Sequence, residues 1–391
     1  MDPLRISAFT VTSALGRGRG AQVAALTEER SGLAPQTVDA CALSTYVGQV
    51  AGLDQQLTGE LSPWDCRNNR LAQLALSQDG FRDDVQRCRA RLGADRVGVF
   101  IGTSTSGVQQ AELAYRRRDR ASDHLPDWFL HRYTQNPFSA ADFVRQTLGL
   151  HGPTVALSTA CSSSAKVFAS ARRSIAAGFC DAAVVGGVDS LCLTTLYGFN
   201  SLQVVSSEPC RPADARRNGL SIGEAAGFAL LERGEGELLL LGYGESSDAY
   251  HMSTPEPQGR GAMAAMRDAL TRAGLKPSKI DYINLHGTAT PANDLAEDRA
   301  VRSVFGHEVP QSSTKGWTGH TLGAAGIVEA ALSLLCIEEG FLPRSLNTRD
   351  KDPAIEGNVL LESRRARVTR VLSNSFGFGG NNCALIFGSS T

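Results

Sequence analysis

The chain repeats one plan along its length, and that repetition limits the folds open to it. Residues 4–11 alternate in polarity as a strand does, and residues 238–242 form a second apolar strand. GRGAQVAAL at residues 18–26 is echoed by GRGAMAAM at 259–266. The strand pattern at 97–101 runs into Gly102, Thr103, Ser104 and Thr105, and the one at 280–285 into His286, Gly287, Thr288, Ala289 and Thr290. Small-residue turns leading into helices occupy 158–175 and 313–334. Strands alternating with helices, met twice in the same order, predict a duplicated α/β fold. At 391 residues the chain exceeds one compact core, which agrees with two halves. The glycines at 234 and 236 mark the boundary, giving halves 1–235 and 236–391.

Between these landmarks the pattern predicts helices over 68–76, 83–92, 108–115 and 140–148, and buried strands over 181–188, 227–231 and 383–387. Residues 30–62 read as loop with short strands. Forty glycines beside three tryptophans point to tight turns and close backbone approach. A net charge of −1 argues against nucleic acid or an anionic membrane as main partner. The basic run Arg116, Arg117, Arg118, Arg120 reads as a solvated helix end. No 18-residue apolar run and no signal-peptide core are present, so a cytoplasmic protein is expected. The nine cysteines lie far apart with no CxxC pair, so neither a zinc site nor a disulfide framework is expected.

The chemistry-bearing stretch is VALSTACSSSAKVFASARRSIAAG at 155–178. A short apolar strand passes through small residues into an amphipathic helix with Val167, Ala171 and Ile175 on one face, and Gly178 closes it. Cys161 falls at the turn, facing unpaired helix N–H groups, which is expected to favour its thiolate. His286 sits in NLHGTATPAND and His320 in STKGWTGHTLGAAGIVEA, each on a loop after a strand, where α/β folds bind ligands. One cysteine or one histidine is ordinarily a packed core residue. A cysteine at a helix start together with two histidines among glycines and threonines is not explained by packing.

These residues carry a resemblance. TACSSS around Cys161, HGTATPAND at His286, KGWTGH and GAAG…E from Lys315 to Glu329, and NSFGFGGNN at 374–382 are similar to the motifs of elongating 3-oxoacyl-[acyl-carrier-protein] synthases. That family is the ketosynthase branch of the thiolase-like superfamily, and the likeness covers essentially the whole chain. It implies a five-layered αβαβα fold and a Cys-His-His mechanism. Cys161 would carry the acyl chain, and His286 and His320 would stabilise the enolate left by decarboxylation of malonyl-carrier protein. Lys315 and Glu329 would order the charge around them. The backbone N–H groups of Cys161 and Phe378 would form the oxyanion hole, Thr288 and Thr290 would hold the pantetheine, and Phe376 and Phe378 would gate the entrance.

The resemblance implies no resident cofactor and no metal, since substrates arrive on the phosphopantetheine of an acyl carrier protein. It also implies a dimer, either with itself or with a homologous chain-length-factor subunit. Four positions depart from the family pattern: Ala289 where a small Gly or Ser is frequent, which is harmless, Asn381 where Thr is common, Asn218 where Asp is usual, and Ala225 where Gly is usual. The last two, with the short length, resemble ketosynthases of aryl-polyene pigment clusters. A non-catalytic chain-length factor would lack the nucleophile that Cys161 supplies. A degradative thiolase would need a second catalytic cysteine, for which Cys383, inside an apolar run, is the one late candidate. An initiating synthase would pair its cysteine with His and Asn, against which the Lys315/His320 motif argues.

Overall fold

The structure, a computed structural model, describes residues 1–390. Ten strands carry the fold. In the first half they are β1 (Leu4–Ser13), β2 (Val97–Gly102), β3 (Thr154–Leu157), β4 (Ala182–Asp189) and β5 (Ala225–Glu232). In the second they are β6 (Leu238–Ser247), β7 (Tyr282–Asn284), β8 (Gln311–Ser312), β9 (Arg370–Gly377) and β10 (Asn381–Ser389). The first half runs β3-β2-β4-β5-β1 across its sheet and the second β8-β7-β9-β10-β6. Numbered within each half, the two orders are identical. The directions match too: β2 is parallel to β3 and β4, as β7 is to β8 and β9, and the remaining pairs within each half are antiparallel. The duplication read from the sequence is therefore a duplication of topology. The halves also meet edge to edge, because β1 pairs with β6 through Leu4–Leu240 and Arg5–Leu239.

Helices α6 (Ser163–Ala176) and α11 (Ala325–Glu339) lie between the two sheets. Their Val167, Phe168, Ile175, Ile327, Leu332 and Leu334 pack with Val11, Leu231, Leu240 and Phe387 from the inner sheet faces. On the outer face of the first sheet lie α2 (Arg67–Leu76), α3 (Phe81–Leu92) and α5 (Phe138–Leu148), with Leu71, Val85 and Phe143 fully buried. On that of the second lie α8 (Arg260–Ala273) and α9 (Pro291–Phe305). This is the expected thiolase-like, five-layered α/β arrangement. Each fully buried Leu, Ile or Phe contributes about 1.5–3 kcal/mol to holding the layers together.

One echo misleads. GRGAQVAAL forms α1 (Gly18–Thr27), whose Ala25 and Leu26 join the central core, whereas GRGAMAAM opens α8 on an outer face. Positionally, α2 matches α8. Short Gly-Ala segments suit any close-packed helix, so the likeness marks packing density and not equivalence. Helix α4 (Val108–Arg116) ends in the arginine run, which is exposed as expected. All nine cysteines are free, and all but Cys41 are buried. Among the described residues no helix is long and apolar enough to cross a membrane.

Candidate active site

The two halves aim equivalent strand ends at one point. Cys161 follows β3, and His320 follows β8, its counterpart. His286 follows β7, and Phe378 follows β9. Ala160, immediately before Cys161, has φ of 51°, a left-handed conformation that costs a non-glycine residue and throws the thiol outward from the turn. The turn is tied by Thr159 N–H to Ser163 Oγ (2.9 Å) and by Ser163 Oγ–H to Ala160 O (2.5 Å). Gly377 lies against it so closely that a Cβ would sit 2.8 Å from Thr159 O, which is why the motif has glycine there.

Cys161, His286 and His320 are all buried, and their ligand-type atoms lie within 4.8 Å of one another. His320 Nε2 is 3.0 Å from Cys161 Sγ. The backbone N–H of Leu322 donates to His320 Nδ1 at 3.1 Å, so Nδ1 must present its lone pair and the ring proton sits on Nε2. Lys315 Nζ stands 3.3 Å from His286 Nδ1 and imposes the same tautomer there. Burial, then the nearby Lys315 charge, hold both imidazoles well below their usual pKa. Both are thus neutral N–H donors aimed at the cavity.

Lys315 is buried, and its ammonium also donates to His286 O and Glu329. Burial pushes the Glu329 carboxyl up to about 7 against the pull of that lysine. The expectation for Cys161 is overturned. Burial pushes its thiol up to about 11, although Lys315 and the Phe378 N–H both pull it down. Burial outweighs both at a residue that is only 4% exposed. The resting nucleophile is a thiol.

A cavity of about 320 Å³ opens over this centre. Thr288 and Thr290, 2.9 Å apart through their hydroxyls, line its wall with Phe376 and Phe378. Phe376 is largely buried, 5.9 Å from the His286 ring. Phe378 sits on a turn whose Gly379 and Gly380 have φ of 78° and 74°. Cys383 does not line the cavity; it lies fully buried within β10, as its apolar run predicted.

Sequence reasoning missed four residues. Phe199, at 5.3 Å from Phe378 and 6.4 Å from His320, comes from α7 (Leu193–Ser201), which carries no motif. Asp248 lines the cavity and binds Asn382 at 2.7 Å. Glu297 accepts the N–H groups of His286 and Gly287, both at 2.8 Å, and so holds the histidine loop. Asp189 ends β4; an acid closing a buried apolar strand is a signal the sequence did offer.

Comparison with known proteins decides the family. Residues 70–236 match the model of the beta-ketoacyl synthase N-terminal domain and residues 239–349 that of its C-terminal domain. The chain belongs to the beta-ketoacyl synthase family. It is 38% identical over 322 residues to the mitochondrial 3-oxoacyl-[acyl-carrier-protein] synthase of Arabidopsis thaliana, covering 75% of this chain and 69% of that one. It is 35% identical to 3-oxoacyl-[acyl-carrier-protein] synthase 2 of Synechocystis, over 78% of each. Among solved structures, the ketosynthase ApeO of Xenorhabdus doucetiae, in complex with its chain length factor ApeC, matches with a TM-score of 0.92. Identity there is 38%, covering 100% of this chain and 98% of that one. The ishigamide ketosynthase/chain length factor matches with a TM-score of 0.90 at 26% identity, covering 100% of both chains. This ketosynthase is a condensing acyltransferase.

Proposed function

We propose that this ketosynthase carries out decarboxylative condensation of malonyl-[acyl-carrier-protein] with an acyl chain held on Cys161. The observation that supports the reading best is the pair of neutral Nε2–H donors beside a buried thiol. In the first step Cys161 Sγ bonds to the acyl carbon, the bond from that carbon to the pantetheine sulfur breaks, and the thiol proton leaves on the pantetheine sulfur. In the second, malonyl-carrier protein binds and its carboxylate leaves as carbon dioxide. The electron pair flows to the thioester oxygen as an enolate, stabilised by His286 and His320. The enolate carbon then attacks the Cys161 thioester. The tetrahedral oxyanion is held by the N–H groups of Cys161 and Phe378, and its collapse expels Cys161, which takes up a proton.

Lys315 sets the tautomer of His286 and the charge around it, with Glu329 as its partner. Thr288 and Thr290 offer hydroxyls to the pantetheine, and Phe376 and Phe378 gate its entry past glycines that permit movement. Loss of carbon dioxide drives the step, so no oxidant, metal or resident cofactor enters the balance. The carrier protein is the delivering partner, and the reaction belongs to the cytoplasm.

The second partner is a homologous chain-length-factor subunit. Strand β3 is the open edge of the first sheet, and its Thr154, Val155, Ala156 and Leu157 are all half-buried, an apolar edge suited to pairing with another strand. Such a complex is the form in which the ApeO and ishigamide ketosynthases were solved. Asn218 and Ala225, with the short length, favour the aryl-polyene pathway over housekeeping fatty-acid synthesis.

Intact-mass spectrometry after incubation with saturated and polyunsaturated acyl-carrier proteins tests this. An acyl adduct mapped to Cys161 is expected, best loaded by polyunsaturated chains once the partner subunit is present. No adduct with the partner present would sink the catalytic reading.

A further inference from the structure

Asp189 closes β4 at the centre of the molecule, fully buried, and no step above uses it. Its Oδ1 accepts hydrogen bonds from Thr103 Oγ1 (2.6 Å), Ser104 N (2.9 Å), Thr105 N (2.9 Å) and Thr105 Oγ1 (2.8 Å). Its Oδ2 accepts from Ser104 Oγ (2.6 Å) and from Gly323 N (2.5 Å). The carboxylate therefore joins the loop after β2 to the loop that carries His320. Gly323 has no room for a side chain, since a Cβ would lie 2.6 Å from Ser104 N and 2.7 Å from Asp189 Oδ2.

Leu322 stands between that anchor and the histidine. Its φ is 55°, a left-handed backbone that a leucine holds only when its surroundings impose it. In that conformation its N–H points at His320 Nδ1. The N–H of the very next residue is fixed by Asp189, with a longer bond of 3.2 Å to Ser104 Oγ, itself held by the same carboxylate.

We propose that Asp189 is a positioning residue for His320. Through Gly323 it holds Leu322 in the left-handed conformation whose N–H keeps the His320 proton on Nε2, facing Cys161. Without the anchor, Leu322 relaxes toward ordinary backbone angles and its N–H leaves Nδ1. The ring then samples the other tautomer, which offers the reacting enolate a lone pair in place of a proton. The inference rests on the donor role proposed for His320, but its principal readout needs no turnover.

Full-length protein labelled with [15N]histidine tests it in the absence of substrate. In the wild type, His320 should show a pyridine-type Nδ1 and a pyrrole-type Nε2. In Asp189→Asn the two signals should converge, while His286, held separately by Lys315, keeps its pattern. Malonyl-carrier decarboxylation should lose about 10²-fold in kcat, as for an ångström-scale misplacement of a catalytic group, with KM little changed. An Asp189→Asn protein that keeps both the His320 pattern and the rate overturns the proposal. If that variant does not fold, the double variant Thr103→Val/Thr105→Val removes two of the hydroxyls that hold the carboxylate and leaves Ser104, whose Oγ itself accepts the Gly323 N–H at 3.2 Å, in place. It should move the His320 signals the same way, and an unchanged pattern there overturns the proposal equally. An Asp189→Asn protein that shows the tautomer shift yet keeps the wild-type decarboxylation rate would count against the donor role of His320 in the proposed function alone.

Discussion

The two halves build the same passage, from third strand to central helix, and use it for opposite ends. In the first half β3 passes to α6 through five residues, 158–162, and the turn is tight enough to force Ala160 left-handed. It presents a single reactive atom, the Cys161 sulfur. In the second half β8 reaches α11 through residues 313–324, a longer route that includes the one-turn helix α10 (Lys315–Thr318). That extra length brings in a lysine, a histidine and the backbone donor that fixes the histidine's tautomer. A short turn supplies position, and a long one supplies an electrostatic environment. The nucleophile in one half depends on charges supplied by the other: Lys315, from the second half, draws the Cys161 thiol down against burial.

The sharpest way to separate the two passages is Cys161→Ala. It should abolish condensation while leaving malonyl-carrier decarboxylation, because both histidine donors stay in place; paired assays of carbon dioxide release and 3-oxoacyl product measure this. Condensation that survives in this variant would break the assignment of the first passage. His320→Ala should cost both reactions about 10²–10³-fold, the usual effect of removing one preorganised donor. Unchanged decarboxylation in this variant would remove His320 from the stabilisation of the enolate.

The smallest effect reads the coupling between the halves. Cys161 should be alkylated by iodoacetamide with a rate that climbs through a midpoint at about 11. Lys315→Met should move that midpoint higher still, slowing alkylation at pH 8. The sign follows from the charge: removing a cation disfavours the thiolate, so deprotonation needs higher pH. A wild-type midpoint below the ordinary thiol value of 9.0 would mean that the helix N-terminus outweighs burial, and the division of labour drawn here would fail.

Much of this site was legible before the fold was known. Cys161, His286 and His320 could be picked out because loops after strands that carry Gly, Ser and Thr around a nucleophile or base have few structural explanations, and Lys315 and Glu329 through the family resemblance of the stretch around His320. The structure brings all five together. Phe199 and Asp248 were not legible, since nothing local marks them and only packing carries them to the cavity. Glu297 was hidden among the ordinary acids of α9, where its burial is a property of the assembled layers.

The duplicated α/β plan, many of its strands and helices, and the identity of the reactive groups were present in the order of residues alone. Hydrophobic periodicity and small-residue turns are local, and a family's motifs are read position by position. The protonation of those groups is set by packing across the layers. The thiol stays a thiol because two layers bury it, and each imidazole carries its proton on Nε2 because a donor distant or strained in the chain occupies the other nitrogen. Solvation and hydrogen-bond partnership belong to the assembled fold, so a string of residues cannot state them.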